Sequence, residues 1–109
     1  MPAMDSLKQS ILTECEDDHV GLWSVVRDVE EALSNADEAG VRNEVLRLLH
    51  ELLDANEIEA GFPAPAGRGF RRVQLSPAKV IARIEEEWPV GRRPTVGEGL
   101  WFTKSERTP

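Results

Sequence analysis

Apolar residues recur at helical spacing most clearly between positions 41 and 53. Valine and leucine fall there at steps of three and four, which places them along one side of a helix. The members of this stripe are Val41, Val45, Leu46, Leu48, Leu49, Leu52 and Leu53. Asn35 or Asp37 can cap the start of the helix, and Asn56 follows its end, where a left-handed residue is common. The pattern predicts a long amphipathic helix at the centre of the core.

Two further helical patterns precede this one. In residues 4–16, Ser6 and Gln9 form a capping-box pair at the start of an apolar stripe. Farther on, Asp17 or Asp18 is placed to cap a second helix. The first stripe consists of Leu7, Ile11, Leu12 and Cys15, and the second of Leu22, Val25, Val26, Val29 and Leu33. The N-terminal third is therefore predicted to contain two amphipathic helices.

The second half of the chain alternates short extended segments with loops. Three segments are predicted to be strands: 57–62, 70–75 and 100–106. A fourth helix is predicted between the second and third of these, because Ser76 stands at its N-cap and Pro77 at its first position, and Pro89 ends it. The chain is therefore predicted to be α+β in one domain, since 109 residues suffice for a single modest core.

The order of these elements, three helices, a strand, a loop and a closing strand, resembles that of a winged helix-turn-helix protein. The stretch LLHELLDANEIEAG resembles the end of a recognition helix running into the first wing strand, and LWFTKSE resembles the closing wing strand. The resemblance covers residues 5–62 and 98–106. The segment 63–97, with its own helix, stands where a simple wing has a tight hairpin.

The resemblance implies one winged-helix-like domain over residues 1–109, with 63–97 as an enlarged wing. Its fold would be three N-terminal helices plus a small antiparallel β wing that contains an inserted fourth helix. Winged helices occur both in DNA-binding regulators and in protein-binding modules, so the resemblance leaves both functions open. Ten arginines against three lysines suggest a GC-rich, bacterial genome.

Charge is divided unevenly along the chain, whose net charge is −7. Residues 1–61 carry 4 basic and 15 acidic side chains, whereas residues 62–109 carry 9 basic and 5 acidic ones. An acidic protein is repelled by duplex DNA at long range, so only the second half could attract nucleic acid. The chain has no apolar run of about 20 residues, and its single Cys15 cannot form an internal disulfide. These features predict a cytoplasmic protein with no membrane partner.

Arginines in and just before the second predicted strand, together with two in the loop after the fourth helix, are the candidate site for nucleic acid or a protein partner. The members of this arginine cluster are Arg68, Arg71, Arg72, Arg92 and Arg93. Wing arginines can enter a minor groove, but the same residues also suit a solvated loop. The exposed face of the predicted third helix brings mainly carboxylates and is expected to be a solvated face. It holds Asn43, Glu44, Arg47, His50, Glu51 and Asp54.

The three tryptophans are candidates for the core or for an interface. Trp88 ends the fourth helix on its apolar side and is expected in the core. Trp101 and Phe102 are neighbours on a strand, so one of the two must face away from the core. Trp23 lies at the edge of its helical stripe and is expected to be partly exposed. Exposed tryptophan is common at interface hot spots, and Leu7, Ile11 and Trp23 together predict a weak homodimer.

No motif in the chain indicates catalysis or a cofactor. The run CEDDH, residues 15–19, lacks the second cluster that a metal site usually needs, and helix capping is the expected role of its aspartates. Cys15 and Ser24 have no sequence signature of an activated nucleophile. We therefore expect no metal and no cofactor in a non-enzymatic protein. Its predicted function is to bind another protein as an adaptor, regulator or inhibitor, and the alternative is a DNA-binding regulator that docks through a basic wing.

Overall fold

Four helices pack against a four-stranded antiparallel sheet in the residues that the structure, a computed structural model, describes. These residues are 3–17, 19–63, 69–89, 92, 94 and 99–105. The helices are α1 (Ala3–Asp17), α2 (Leu22–Ala32), α3 (Glu38–Asp54) and α4 (Pro77–Glu87). The strands are β1 (Val20–Gly21), β2 (Ile58–Pro63), β3 (Phe70–Arg72) and β4 (Trp101–Lys104). The predicted α+β class is confirmed.

The ends of α3 and α4 follow the local signals in the sequence. Asp37 caps α3, where its Oδ1 accepts a hydrogen bond of 2.8 Å from the backbone N–H of Gly40. Asn56, just after α3, has a positive φ of 63° and so turns the chain toward β2. Ser76 caps α4, with Pro77 in its first turn. All three predictions are confirmed. Capping depends on residues within a few positions of the helix end, so the local sequence is enough to predict it.

The start of α1 and the start of α2 differ from the predictions. Helix α1 begins at Ala3, so Ser6 lies inside the helix and cannot be its N-cap. Helix α2 begins at Leu22, and its N-cap is Gly21, which makes no side-chain capping bond. The prediction of Asp17 or Asp18 as this cap is wrong: Asp17 belongs to α1, Asp18 lies outside the described residues, and strand β1 intervenes before α2.

The strands lie in the order β1-β4-β2-β3. Phe102 of β4 pairs with Val20 on one side and with Ala60 on the other, while Trp101 pairs with Gly21 and Gly61. Directly opposed residues of antiparallel strands project to the same face. Phe102 therefore belongs to the face that packs on the helices, and Trp101 to the opposite face, which we call the outer face.

The core lies between α3 and the helix-facing side of the sheet. Leu48, Leu49 and Phe102 have no exposed surface, and α2 and α4 both contact α3. Arg42 of α3 contacts Trp88 at the C-terminal end of α4. Its Nε donates to the carbonyl of Trp88 at 3.0 Å, and its guanidinium lies 5.6 Å from the centre of the Trp88 ring. The apolar stripe predicted for the third helix is thus the central core element.

Candidate functional site

Half-buried aromatic and polar side chains collect on the outer face of the sheet. Trp101 and Thr103 of β4 stand there beside Glu59 of β2. Phe70 and Arg72 extend the same face across β3. Trp101 is half-buried whereas Phe102 is fully buried, which confirms that one of these neighbours faces away from the core.

Trp23 of α2 packs against Trp101 at one end of this face. Their ring centres are 4.6 Å apart and their planes meet at 83°, an edge-to-face arrangement that aromatic pairs favour. The Trp23 ring also lies over Gly21, in the space that a β-carbon at that position would occupy. Trp23 is half-buried, as predicted from its place at the edge of the helical stripe.

A shallow pocket of about 340 Å³ opens beside the two tryptophans. We call it the tryptophan pocket, and its lining residues are Glu14, His19, Val20, Gly21, Trp23, Ser24 and Trp101. A second depression of about 430 Å³ continues along the outer face past His19. The His19 ring packs on Phe70 with ring centres 4.9 Å apart, so the aromatic surface runs from α2 across the sheet to β3.

Two carboxyl groups, Glu14 of α1 and Asp28 of α2, interact beside the tryptophan pocket. The pKa of Glu14 is raised, chiefly because burial disfavours the charged form. The charge of Asp28 and a hydrogen bond to it raise that pKa further, and the charge of Arg27 opposes them. Oδ2 of Asp28 is buried without a hydrogen-bond partner among the described residues. Burial and the neighbouring Asp28 thus both disfavour ionisation of Glu14.

The raised pKa of Glu14 predicts a pH-dependent stability. A carboxyl group whose pKa is raised by folding stabilises the folded protein while it is protonated. This contribution is complete below the pKa of the unfolded state and is lost as pH rises through the pKa of the folded state. Glu14→Gln cannot ionise, so its melting temperature relative to that of the unaltered protein should increase as pH rises above 4.5, the ordinary pKa of the glutamate carboxyl. Glu16→Gln, an exposed change on the same helix, is the control in thermal melts. Parallel curves for Glu14→Gln and the unaltered protein would contradict the prediction.

Cys15 is buried next to this carboxyl pair. Burial, with a smaller contribution from the charge of Glu14, raises the pKa of the Cys15 thiol to about 12. A thiol with such a pKa stays protonated at neutral pH, and the thiolate is the nucleophilic form. Cys15 is therefore a core residue, in line with its position on the apolar side of α1.

Carboxylates on the exposed face of α3 form ion pairs with neighbouring arginine and lysine side chains. Arg47 pairs with Glu44 at 3.1 Å and also with Glu51. Lys8 of α1 donates to the same Glu51 at 2.9 Å, and this bond, more than the charge of Arg47, lowers the pKa of Glu51. A helix that reads DNA brings free donors to phosphates and base edges. Here the donors of Arg47 and Lys8 are already engaged by carboxylates.

The predicted arginine cluster does not form a single surface in the described residues. Arg71 and Arg72 follow each other on β3 and point to opposite faces of the sheet, as their pairing with Phe62 and Gly61 requires. Arg72 lies on the outer face, 3.3 Å from a carboxylate oxygen of Glu59. Arg92 is exposed in the loop after α4. Arg68 and Arg93 lie outside the described residues.

The predicted homodimer interface falls mostly inside the chain's own core. Leu7 is 6% exposed and Ile11 is fully buried, because α1 packs on β4 and α2. Their side chains are therefore used within one chain, and Trp23 is the member of the predicted set that reaches the surface. Sequence reasoning missed the approach of Glu14 to the tryptophans, for which the sequence carries no local signal.

The described part of the chain shows neither a metal-binding cluster nor a membrane-spanning helix. It contains no group of three His, Cys, Asp or Glu side chains able to hold a metal ion. None of its helices combines the length and the apolar character that crossing a bilayer requires. Comparison of the chain with protein-family models, with curated proteins and with solved structures gave no match.

Proposed function

We propose that this protein is a non-catalytic, winged-helix-like module that binds another protein through the outer face of its sheet. The observation that carries the proposal is the continuous surface of half-buried rings formed by Trp23, Trp101, His19 and Phe70. Tryptophan and other aromatic residues are enriched in the centres of protein interfaces, where they supply most of the binding energy. Nearby Thr103 and the Arg72–Glu59 pair provide a polar rim.

The arrangement of the elements supports the winged-helix part of the proposal. Three helices precede β2, and β4 lies between β1 and β2 in the sheet. In this interpretation β2 and β4 are the wing strands, while β3 and α4 are the enlargement of the wing. Helix α4 packs back onto α3, so this described part of the enlargement covers one side of α3 rather than the outer face of the sheet.

Protein binding is favoured over DNA binding by the charges on the two exposed surfaces. The α3 face presents Glu44, Glu51 and Asp54, whose charges repel phosphates. Arg72 is a member of the predicted arginine cluster and lies on the outer face, where it is paired with Glu59. An adaptor, regulator or inhibitor that acts through an aromatic surface requires neither a free basic patch nor a catalytic group.

Site-specific photo-crosslinking in the native host tests this proposal. A benzophenone amino acid at position 103, on the outer face, is expected to form a covalent adduct with a protein. The same amino acid at position 50, which is exposed on α3, serves as the matched control and should give none. Adding Trp101→Ala should abolish the adduct at position 103, with circular dichroism confirming that the variant is folded. Adducts only from position 50, or adducts with nucleic acid, would contradict the proposal.

A further inference from the structure

We infer that the tryptophan pocket receives an arginine side chain of the bound protein. This inference rests on the proposed function and specifies the chemistry of the partner. It is carried by the position of Glu14 in the wall of a pocket whose other large side chains are His19, Trp23 and Trp101. Aromatic rings and a carboxyl group in the same pocket provide both kinds of interaction that a guanidinium group makes.

The geometry of the two rings suits a flat cation. Trp23 and Trp101 meet nearly at right angles, at 83°, so an approaching group meets the face of one ring and the side of the other. Cations bind over aromatic faces, and tryptophan provides the strongest attraction of the aromatic side chains. Guanidinium is planar and weakly hydrated, and it stacks on such a face more readily than the compact, strongly hydrated ammonium group of lysine.

Glu14 supplies a carboxyl group within the same pocket, and a bound guanidinium would favour its charged form, which burial and Asp28 disfavour. A carboxylate accepts two parallel hydrogen bonds from the fork of a guanidinium, an arrangement that lysine cannot make. Arg27 is the cation that influences Glu14 from within the chain, but Arg27 is exposed and forms no ion pair with Glu14 among the described residues. Asp28 adds negative charge behind Glu14. The pocket thus holds a carboxyl group that an incoming cation can pair with.

The half of the chain that supplies most of the pocket is acidic, and this favours a basic partner. Glu14 and Trp23 belong to residues 1–61, the half with 4 basic and 15 acidic side chains. A field of one sign steers oppositely charged partners toward the surface and disfavours acidic ones. The pocket volume of about 340 Å³ accommodates the end of a long side chain. A protein that projects arginine from a basic surface fits both the pocket and its surroundings.

Nuclear magnetic resonance with a small probe tests the inference without the natural partner. Nα-acetyl-arginine methylamide is titrated into the full chain while the indole N–H signals of the three tryptophans are followed. The signals of Trp23 and Trp101 are expected to shift, and that of Trp88, which is 5% exposed in the core, to stay in place. The citrulline analogue, equal in shape but uncharged, should bind about tenfold more weakly, and the lysine analogue should also bind more weakly than arginine.

Two matched variants identify the groups responsible. Glu14→Gln is expected to weaken binding of the arginine probe about tenfold, whereas Glu16→Gln, an exposed change on the same helix, should leave it unchanged. Trp101→Leu should remove the probe-induced shift of Trp23, with the Trp88 signal reporting that the core is intact. Absence of any shift, equal binding of the citrulline or lysine analogue, or indifference to Glu14→Gln would each overturn the inference.

If the arginine inference is wrong, the experiments give a different result than if the proposed function is wrong. If the arginine probe does not bind but the photo-crosslink at position 103 still depends on Trp101, the outer face binds a protein and the arginine assignment is wrong. If the probe binds as expected but position 103 gives no adduct, the pocket recognises guanidinium and the proposed protein interface is wrong.

Discussion

Replacing Leu49 with alanine is expected to lower the free energy of unfolding by about 2–5 kcal/mol, the range for truncating a buried leucine. Leu49 has no exposed surface and lies on α3, which α2, α4 and β2 all contact. The loss combines removal of apolar burial with the cavity that rigid surroundings leave behind. Chemical denaturation monitored by circular dichroism measures the difference from the unaltered protein.

The same truncation at Leu75 provides the control for Leu49→Ala. Leu75 is 39% exposed, and substitutions at such surface positions usually change stability by less than about 0.5 kcal/mol. The two variants delete the same atoms, so the difference between them measures burial alone. If Leu49→Ala costs no more than Leu75→Ala, α3 is not the central core element.

Replacing Gly61 with alanine is expected to destabilise the protein by about 1–3 kcal/mol, the usual cost of overpacking. Gly61 lies between β3 and β4, and a β-carbon there would collide with the backbone carbonyl of Arg71. Backbone atoms cannot swing aside as a side-chain end can, so β3 must move away from β2. Hydrogen exchange should then lose protection at the N–H of Val73, which donates to the carbonyl of Ala60 at 3.0 Å.

Gly69→Ala separates this collision from a general effect of losing glycine. Gly69 has a positive φ of 75°, but no atom of the described residues lies within 4 Å of its added β-carbon. The free energy of unfolding should therefore fall only by the conformational cost of a left-handed alanine, about 1–2 kcal/mol. The N–H of Val73 should remain protected from exchange. Protection of Val73 that survives Gly61→Ala would mean that the strands can accommodate the methyl group.

The elements that sequence reasoning predicted well are those specified by neighbouring residues. The stripe of α3, its cap Asp37, the left-handed Asn56 and the cap Ser76 each depend on residues within one or two turns of a helix. Hydrophobic spacing and capping act over that distance, so one segment suffices to recognise them. Strand β1 escaped prediction because its two residues are too few to show an alternating pattern, and they are extended through pairing with distant β4.

The candidate site was harder to predict because it joins distant parts of the chain. Alternation along β4 required either Trp101 or Phe102 to face outward, and helical spacing placed Trp23 at an edge. Nothing local indicates that Trp23 and Trp101 meet, or that Glu14 reaches the same pocket, since the pairing of β1 with β4 brings them together. The arginine cluster shows the converse error: Arg71 and Arg72 are neighbours in sequence, but alternation along β3 places them on opposite faces of the sheet.

The short strands at both edges of the sheet bear on how readily sheets of separate molecules can join. The edge strands β1 and β3 have two and three residues, whereas the inner strands β2 and β4 have six and four. Unpaired edges are where sheets of separate molecules join end to end into aggregates, and short or charged edges resist it. Arg71 and Arg72 place positive charge on the β3 edge. The molecule can therefore carry an exposed aromatic surface with little risk of growing into fibrils through its sheet.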